Sequence, residues 1–380
     1  MKKFSENVRY IGTDDKDIGI FEGQYPVKNG VSYNSYVIFD EKIAVMDTAD
    51  ARRTDEWMAN LKAALQGRKP DYLVVLHMEP DHSASIAAFL KEYPQTEVVG
   101  NAKTFTIAER FFGDIFKNKT VVKDGDALSL GEHSLTFVFA PMVHWPEVMV
   151  AYEAKEKILF SADAFGKFGT PDTDEPWEDE ARRYYLNIVG KYGNMVQQLL
   201  KKAAALEIKT ICPLHGPVLT ENLSYYLEKY DTWSAYRPEE KATFIACASI
   251  HGHTKEAMLR LKALLEERGE KVYFCDLTRE DLSFAVADAF RCDKTVFAAC
   301  TYDGGLFPPM EHFLSRLKAK NFQSRTAAVV ENGSWALSAG KLMRAALEGM
   351  KNVNVKCELS IPSALHGEEE LKNFAKELLN

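Results

Sequence analysis

The spacing of apolar positions divides the chain into two parts of different rhythm. In the first part, short apolar runs alternate with turns and a few helices. Residues 31–39 alternate apolar and polar positions and predict a strand, with residues 42–47 as its hairpin partner across Asp40 and Glu41. Residues 52–65 carry helical spacing. The apolar run 72–76 predicts a buried strand, and residues 83–90 a helix after it. Residues 97–100, 134–140 and 158–163 predict further strands. Residues 184–206 predict one long amphipathic helix, and residues 210–215 a short strand ending in a histidine. Near residue 240 the rhythm becomes regular. Strands at 243–249, 271–277, 295–300, 325–330 and 355–361 are each followed by a helix, at 254–268, 282–290, 309–318, 339–350 and 368–379. Five strands alternating with five helices imply a doubly wound parallel sheet. The polar stretch 236–241, which contains Pro238, sets the boundary, giving domains 1–238 and 242–380.

Bulk properties narrow the class. A chain of 380 residues suits two domains rather than one. The net charge of -8 excludes a protein that binds nucleic acid non-specifically. From Lys241 onward 19 Lys and Arg face 18 Asp and Glu, so the first 240 residues hold 28 against 37 and carry the acidity. That asymmetry agrees with two units. No apolar run approaches the roughly 20 residues of a membrane span, and no signal-peptide core follows the first residues. The six cysteines are scattered, mostly in apolar runs, and form no Cys-x-x-Cys. They are expected to be buried free thiols in a cytoplasmic protein without an iron–sulfur or rubredoxin-type centre.

The densest chemistry lies at His77-Met78-Glu79-Pro80-Asp81-His82, between the predicted strand 72–76 and the helix after it. Two imidazoles and two carboxylates in one turn are a poor way to build a core. They are a good way to hold a cation, which relieves the repulsion between neighbouring carboxylates. The same pattern, an apolar strand ending in His or Asp, recurs at His144, Asp163 and His215. Strand ends in a layered α/β fold gather on one edge, so these residues can meet and supply ligands for two metals. His133, in the polar turn Gly131-Glu132-His133, is given no role.

In the second part three loops follow strands. Ser249-Ile250-His251-Gly252-His253-Thr254 opens a helix, with hydroxyls at both ends and a glycine between them. Backbone N–H groups and hydroxyls at a helix start form an anion site. The loop lacks the lysine of a Walker loop and the glycines of a dinucleotide site, so the phosphate of a mononucleotide fits it better. Residues 301–308, with Thr301, Tyr302, Asp303, Gly304, Gly305 and Leu306, and residues 331–336, with Asn332, Gly333, Ser334 and Trp335, each set an aromatic among glycines. That composition suits stacking on a flat ring.

The first set of residues resembles the metallo-β-lactamase superfamily, which binds two metals between two sheets. Hydrolases of that superfamily carry His-x-His-x-Asp-His, and this chain has Glu79 at the second histidine. A carboxylate is harder than imidazole and favours iron over zinc, pointing from hydrolysis toward redox chemistry. The second set resembles a flavodoxin-like domain that binds FMN, with His253 where that family has Asn or Ser. The two in this order resemble the flavodiiron protein family. The resemblance implies an N-terminal αββα metallo-β-lactamase-like sandwich, then a flavodoxin-like doubly wound five-stranded parallel sheet. It implies one iron on His77, Glu79 and His144, a second on Asp81 and His215, and Asp163 bridging them. His82 lies beside the second iron, and members of the family differ in whether this histidine reaches the metal. FMN contacts fall at Ser249, Ile250, His251, Gly252, His253 and Thr254, at residues 301–306 and at residues 332–335.

The implied activity is reduction of O2 to water, with reduction of NO to N2O as the alternative, using electrons relayed through FMN. A rubredoxin or another small redox protein is expected as a separate donor, since no such domain follows Asn380. A head-to-tail homodimer or dimer of dimers is expected, because in the family the flavin of one subunit lies near the irons of the other. Tyr25, Tyr33, Trp145 and Phe165 are expected near the irons. A zinc hydrolase and a non-enzymatic FMN carrier are the rival readings.

Overall fold

The structure is a computed structural model and describes residues 4–380. Two compact units emerge from the contacts: Met1–Tyr185 with Tyr192–Asp231, and Leu186–Lys191 with Thr232–Asn380. The segment around Pro238 folds with the second unit. Arg325 donates to the carbonyls of Tyr236, Cys292 and Phe290, and the Tyr236 hydroxyl donates to the Gly190 carbonyl at 2.9 Å.

The first unit holds two mixed sheets. One runs Val8–Tyr10, Tyr36–Ile38, Ala44–Met46, Tyr72–Val74, Glu97–Asn101 and Lys119–Val122. The other runs Ala127–Ser129, Ser134–Phe139, Met149–Glu153, Ile158–Phe160 and Thr210–Cys212. They face each other, with the Tyr36 and Phe160 rings at 5.5 Å, and the Met149 amide donates to the Leu76 carbonyl at 3.2 Å. Tyr36, Val37, Val45, Leu73, Phe137, Ala151 and Phe160 are buried between or beneath the sheets. Full burial of such a side chain contributes roughly 1.5–3 kcal/mol.

Three expectations in this unit change. Residues 31–39 form two short strands, Val31–Tyr33 and Tyr36–Ile38, which pair with different partners. Asn34 turns the chain between them, and its amide donates to the carbonyls of Pro213 and Gly216 at 2.8 Å each. All nine residues are buried, so the alternation reported side-chain type rather than one wet face. Residues 184–206 are not one helix. Trp177–Ile188 and Gly193–Ala203 are separate, joined by the 3-10 turn Gly190–Tyr192, and the two glycines weaken the helix at the break. The helix after the metal-like turn is likewise two pieces, Pro80–Ser83 and Ile86–Glu92.

The second unit is a parallel sheet in the order Val272–Asp276, Glu240–Ala248, Cys292–Tyr302, Arg325–Gly333, Val353–Pro362. In chain order this is 2-1-3-4-5, the flavodoxin-like arrangement, which places a ligand at the C-terminal ends of strands one and three. Side chains alternate across it. Ile245 and Cys247 pack with Met258, Leu261, Phe374 and Leu378, while the Phe244 ring lies 6.4 Å from Phe313 on the other face. All six cysteines are buried and free. Among the described residues no helix is long and apolar enough to cross a membrane.

Candidate functional site

The strand Tyr72–Val74 delivers His77 to the edge where Ile158–Phe160 and Thr210–Cys212, paired in parallel, deliver Asp163 and His215. His144 arrives from the loop after Ser134–Phe139. The backbone here is unusual. Asp47, Met142, Ala162 and Phe165 all have positive φ, between 50° and 67°, without being glycine. Left-handed backbone at such residues costs of the order of 1–2 kcal/mol each and tends to gather at functional sites.

The side chains meet as two groups. In the first, His144 Nε2 lies 2.9 Å from Glu79 Oε2 and 3.1 Å from Asp163 Oδ2, and His77 Nε2 lies 3.3 Å from Glu79 Oε2 and 3.5 Å from Asp163 Oδ2. In the second, His82 Nε2 lies 3.4 Å from Asp81 Oδ2 and 3.3 Å from Asp163 Oδ1, and His215 Nε2 lies 3.3 Å from Asp81 Oδ2. Asp163 turns one oxygen to each group. The structure therefore brings together all seven residues predicted for metals. Each group could hold a cation, since its ligand atoms lie within 4.8 Å of one another.

The electrostatics follow from the crowding. Burial pushes the Asp163 and Glu79 carboxyls up, but the surrounding imidazoles, His77 for Asp163 and His144 for Glu79, outweigh it and hold both well below the usual carboxylate range. Burial pushes His144 down, and hydrogen bonds to Asp163 and Glu79 reverse that, raising it to about 9. His77 and His215 are raised for the same kind of reason. The pocket draws positive charge, whether proton or metal.

Sequence reasoning missed the residues behind the cluster. Glu147, fully buried, accepts from His77 Nδ1 at 2.8 Å and from the Met78 amide at 2.9 Å. Asp47 accepts from the amides of Leu76 and His77 at 2.8 and 3.2 Å, and burial pushes its carboxyl up to about 7. Asp47 ends an apolar run just as Asp163 does, so the same signal was available for it. Tyr184 and Phe21 were also missed. Their rings lie 5.4 and 5.5 Å from His215. Of the four aromatics expected nearby, Trp145 lies 5.5 Å from His77 and Tyr33 6.2 Å from His215. Tyr25 packs on Phe168, and Phe165 on Tyr230.

In the second unit a cavity of about 390 Å³ opens at the strand ends. Ser249, Ile250, His251, His253, Thr254, Thr301, Asn332, Gly333, Ser334 and Trp335 line it, joined by Cys300, Ala336 and Ser363, which were not anticipated. Tyr302, Asp303, Gly305 and Leu306 line a separate cavity of about 620 Å³, and neither cavity is lined by Gly252 or Gly304. Gly252 instead starts the helix His253–Glu266 at φ 95°, with no side-chain cap, so the first N–H groups of that helix lack a side-chain acceptor.

Two sites, a buried one of carboxylates and imidazoles between two sheets and an open one of loops above a parallel sheet, define a two-unit metal and cofactor protein. A family model described as "ODP family beta lactamase" matches residues 31–216. A nitric oxide reductase of Moorella thermoacetica is 28% identical over 357 residues, 91% of this chain and 89% of that protein. An anaerobic nitric oxide reductase flavorubredoxin of Vibrio vulnificus is 27% identical over 343 residues, 87% of this chain and 69% of that protein. Among solved structures, the flavodiiron protein of Giardia intestinalis superposes with a TM-score of 0.92 at 23% identity, covering 100% of this chain and 96% of that one. The rubredoxin oxygen:oxidoreductase of Desulfovibrio gigas gives 0.91 at 24% identity, covering 99% and 97%. Along nearly its whole length the chain is thus similar to nitric oxide reductases and has the fold of flavodiiron proteins.

Proposed function

We propose that this chain is a flavodiiron oxidoreductase that reduces O2 to water with electrons relayed through FMN, the first compact unit forming the diiron domain and the second the FMN domain. The observation that carries the reading is the pair of buried groups sharing Asp163. Their chemistry fits two iron ions. Both oxygens of Asp81 and Asp163 Oδ1 are buried without a hydrogen-bond partner. Such orphaned acceptors are costly unless a cation satisfies them. With three carboxylates among seven ligands, the set is harder than an all-imidazole site and suits iron better than zinc.

His77, Glu79 and His144 would hold one iron, Asp81, His82 and His215 the other, with Asp163 between them. Bound there, the two irons would supply the binding of a diatomic gas and its reduction. The chain's own part is positional. Glu147 and the Ser32 carbonyl fix the ring orientations of His77 and His215. Phe21, Tyr33, Tyr184 and Trp145 surround the cluster with rings and limit its water. The cavity between Ser249 and Trp335 suits FMN, with the uncapped helix start toward the phosphate and the 81% exposed Trp335 beside the ring.

In this reading two chains pair head to tail, and the electron donor is a rubredoxin or similar small redox protein. The neighbours named rubredoxin oxygen:oxidoreductase and flavorubredoxin support that class of donor. A second reading, reduction of NO to N2O, is favoured by the relatives named nitric oxide reductase. One preparation loaded with iron and FMN, given reductant, decides between them when O2 uptake and anaerobic NO uptake are compared. His77→Ala and Asp163→Ala should remove the uptake. Background turnover of both gases in fully loaded protein would overturn the assignment.

A further inference from the structure

The cavity assigned above to FMN has an unusual charge inventory. A phosphate monoester brings a charge of about -1.5 to -2 at neutral pH. Yet no Lys, Arg, Asp or Glu lines the cavity among the described residues. Its titratable side chains are His251, His253 and the thiol of Cys300. The two histidines flank Gly252 at the start of the 14-residue helix His253–Glu266, whose first turn has no side-chain cap. Both residues are exposed.

The charged groups on neighbouring elements are committed elsewhere. On the same helix, Lys255 Nζ lies 2.9 Å from Asp276 of the adjacent strand, and Glu256 pairs with Arg260 at 2.5 Å. On the facing strand, Glu331 accepts from the Gly340 amide at 2.7 Å and from the Ser360 hydroxyl at 2.7 Å. Asp303 lines the neighbouring cavity. From the fifth strand's end only Ser363 reaches the site.

We infer that His251 and His253 are the switchable counter-charge for the cofactor phosphate, so that FMN retention falls as pH rises. The inference rests on the FMN reading given above. Imidazole is the side chain whose charge changes near neutral pH. A phosphate dianion within hydrogen-bond reach favours its protonated form. Binding of FMN therefore takes up protons, and by linkage affinity drops as those protons become scarce. Below about pH 6 the phosphate itself begins to protonate, so the effect is read above that. The backbone N–H groups of the loop do not titrate, and hold the phosphate at every pH. The histidines add to them only at the lower end of the range.

The test titrates the full chain, freed of flavin, with FMN and with riboflavin at pH 6.5 and 8.5, following flavin fluorescence. The FMN dissociation constant is expected to rise about tenfold over this range, the size of one charge-assisted hydrogen bond partly screened by solvent. Riboflavin has the same ring without the phosphate and should show no such rise. His251→Asn and His253→Asn should each flatten the FMN dependence, and the double variant should remove it, with circular dichroism confirming that the variants fold. A wild-type FMN constant that does not change with pH, or a double variant that keeps the wild-type dependence, overturns the inference and leaves the cofactor assignment standing. No FMN binding at any pH overturns the cofactor assignment itself.

Discussion

The Nε2 atoms of His82 and His215 stand 3.0 Å apart. His215 gives its Nδ1 proton to the Ser32 carbonyl at 2.7 Å, which leaves a lone pair on its Nε2. A second ring nitrogen at that distance is tolerable only with a proton or a cation between them or beside both. A metal that satisfies this pair binds the folded chain and not the unfolded one. Stripping metal from loaded protein should lower its melting temperature, and adding it back should restore it. At a hundredfold excess over the dissociation constant the linkage is about 2.7 kcal/mol, roughly 5–10 °C for a domain of this size. Thermal scans with and without chelator measure it, and an unchanged midpoint would count against the site.

Glu147 is the support whose loss should be felt without touching a ligand. It fixes the tautomer of His77 and also accepts the Met78 amide. Glu147→Gln keeps the shape but replaces a charged acceptor with a neutral one. Iron affinity should fall about 10–100-fold, as for other partners behind a ligating histidine. Competition with a chelator reads this directly, while far-ultraviolet dichroism stays as in the wild type.

His133, given no role from its sequence, ties both sheets together at the strand ends opposite the metal cluster. Its Nδ1 and backbone amide both reach Asp40 Oδ2, at 2.8 and 2.6 Å, and its Nε2 faces Glu156 at 3.4 Å. Burial raises the carboxyls of Asp40 and Glu156, but hydrogen bonds, including those from His133, outweigh it and hold both below their ordinary values. A carboxyl whose folded value is depressed contributes stability that is complete above its unfolded value. That stability is lost as pH falls through the folded one. The urea midpoint should therefore decline below about pH 4.5. His133→Asn should cost about 1 kcal/mol near neutrality, because it removes hydrogen bonds to two partly buried carboxylates, and should shrink the acid decline.

Gly216 follows His215 with φ at +75°, and a Cβ there would sit 2.8 Å from Lys167 Cγ. Gly216→Ala should destabilise the fold by about 1–3 kcal/mol through the left-handed backbone and the clash together. The strain falls next to a ligand, so iron content should drop along with the denaturation midpoint. Glycine at Gly269, also left-handed but with open space around its Cβ, is the control. Alanine there should leave iron content alone.

The parts of this molecule legible in the sequence are those written in local periodicity. The five strands of the second unit each announced themselves, because a parallel sheet buried on both faces is a run of apolar residues bounded by turns. The cluster was legible for a related reason, since His77, Asp163 and His215 all end apolar runs. What stayed hidden depends on distant partners. Nothing local says that Asn34 will bond to the Pro213 and Gly216 carbonyls and so break a strand in two. Nor does the surrounding sequence say that Glu147 will stand behind a histidine seventy residues away. The edge strand Lys119–Val122 was missed because half of it is exposed and its apolar pattern is weak.

The turn from His77 to His82 does one more thing than supply donors. Residues two apart in an extended chain share a face, which sends His77 and Glu79 the same way. Pro80 then opens a short helix with Glu79 as its cap residue, and helical rotation swings Asp81 and His82 toward the other group. The segment thus converts one repeat into another in six residues. A single insertion or deletion inside it would exchange which donors look in which direction, even with every donor retained. Its length is as much a part of the site as its composition.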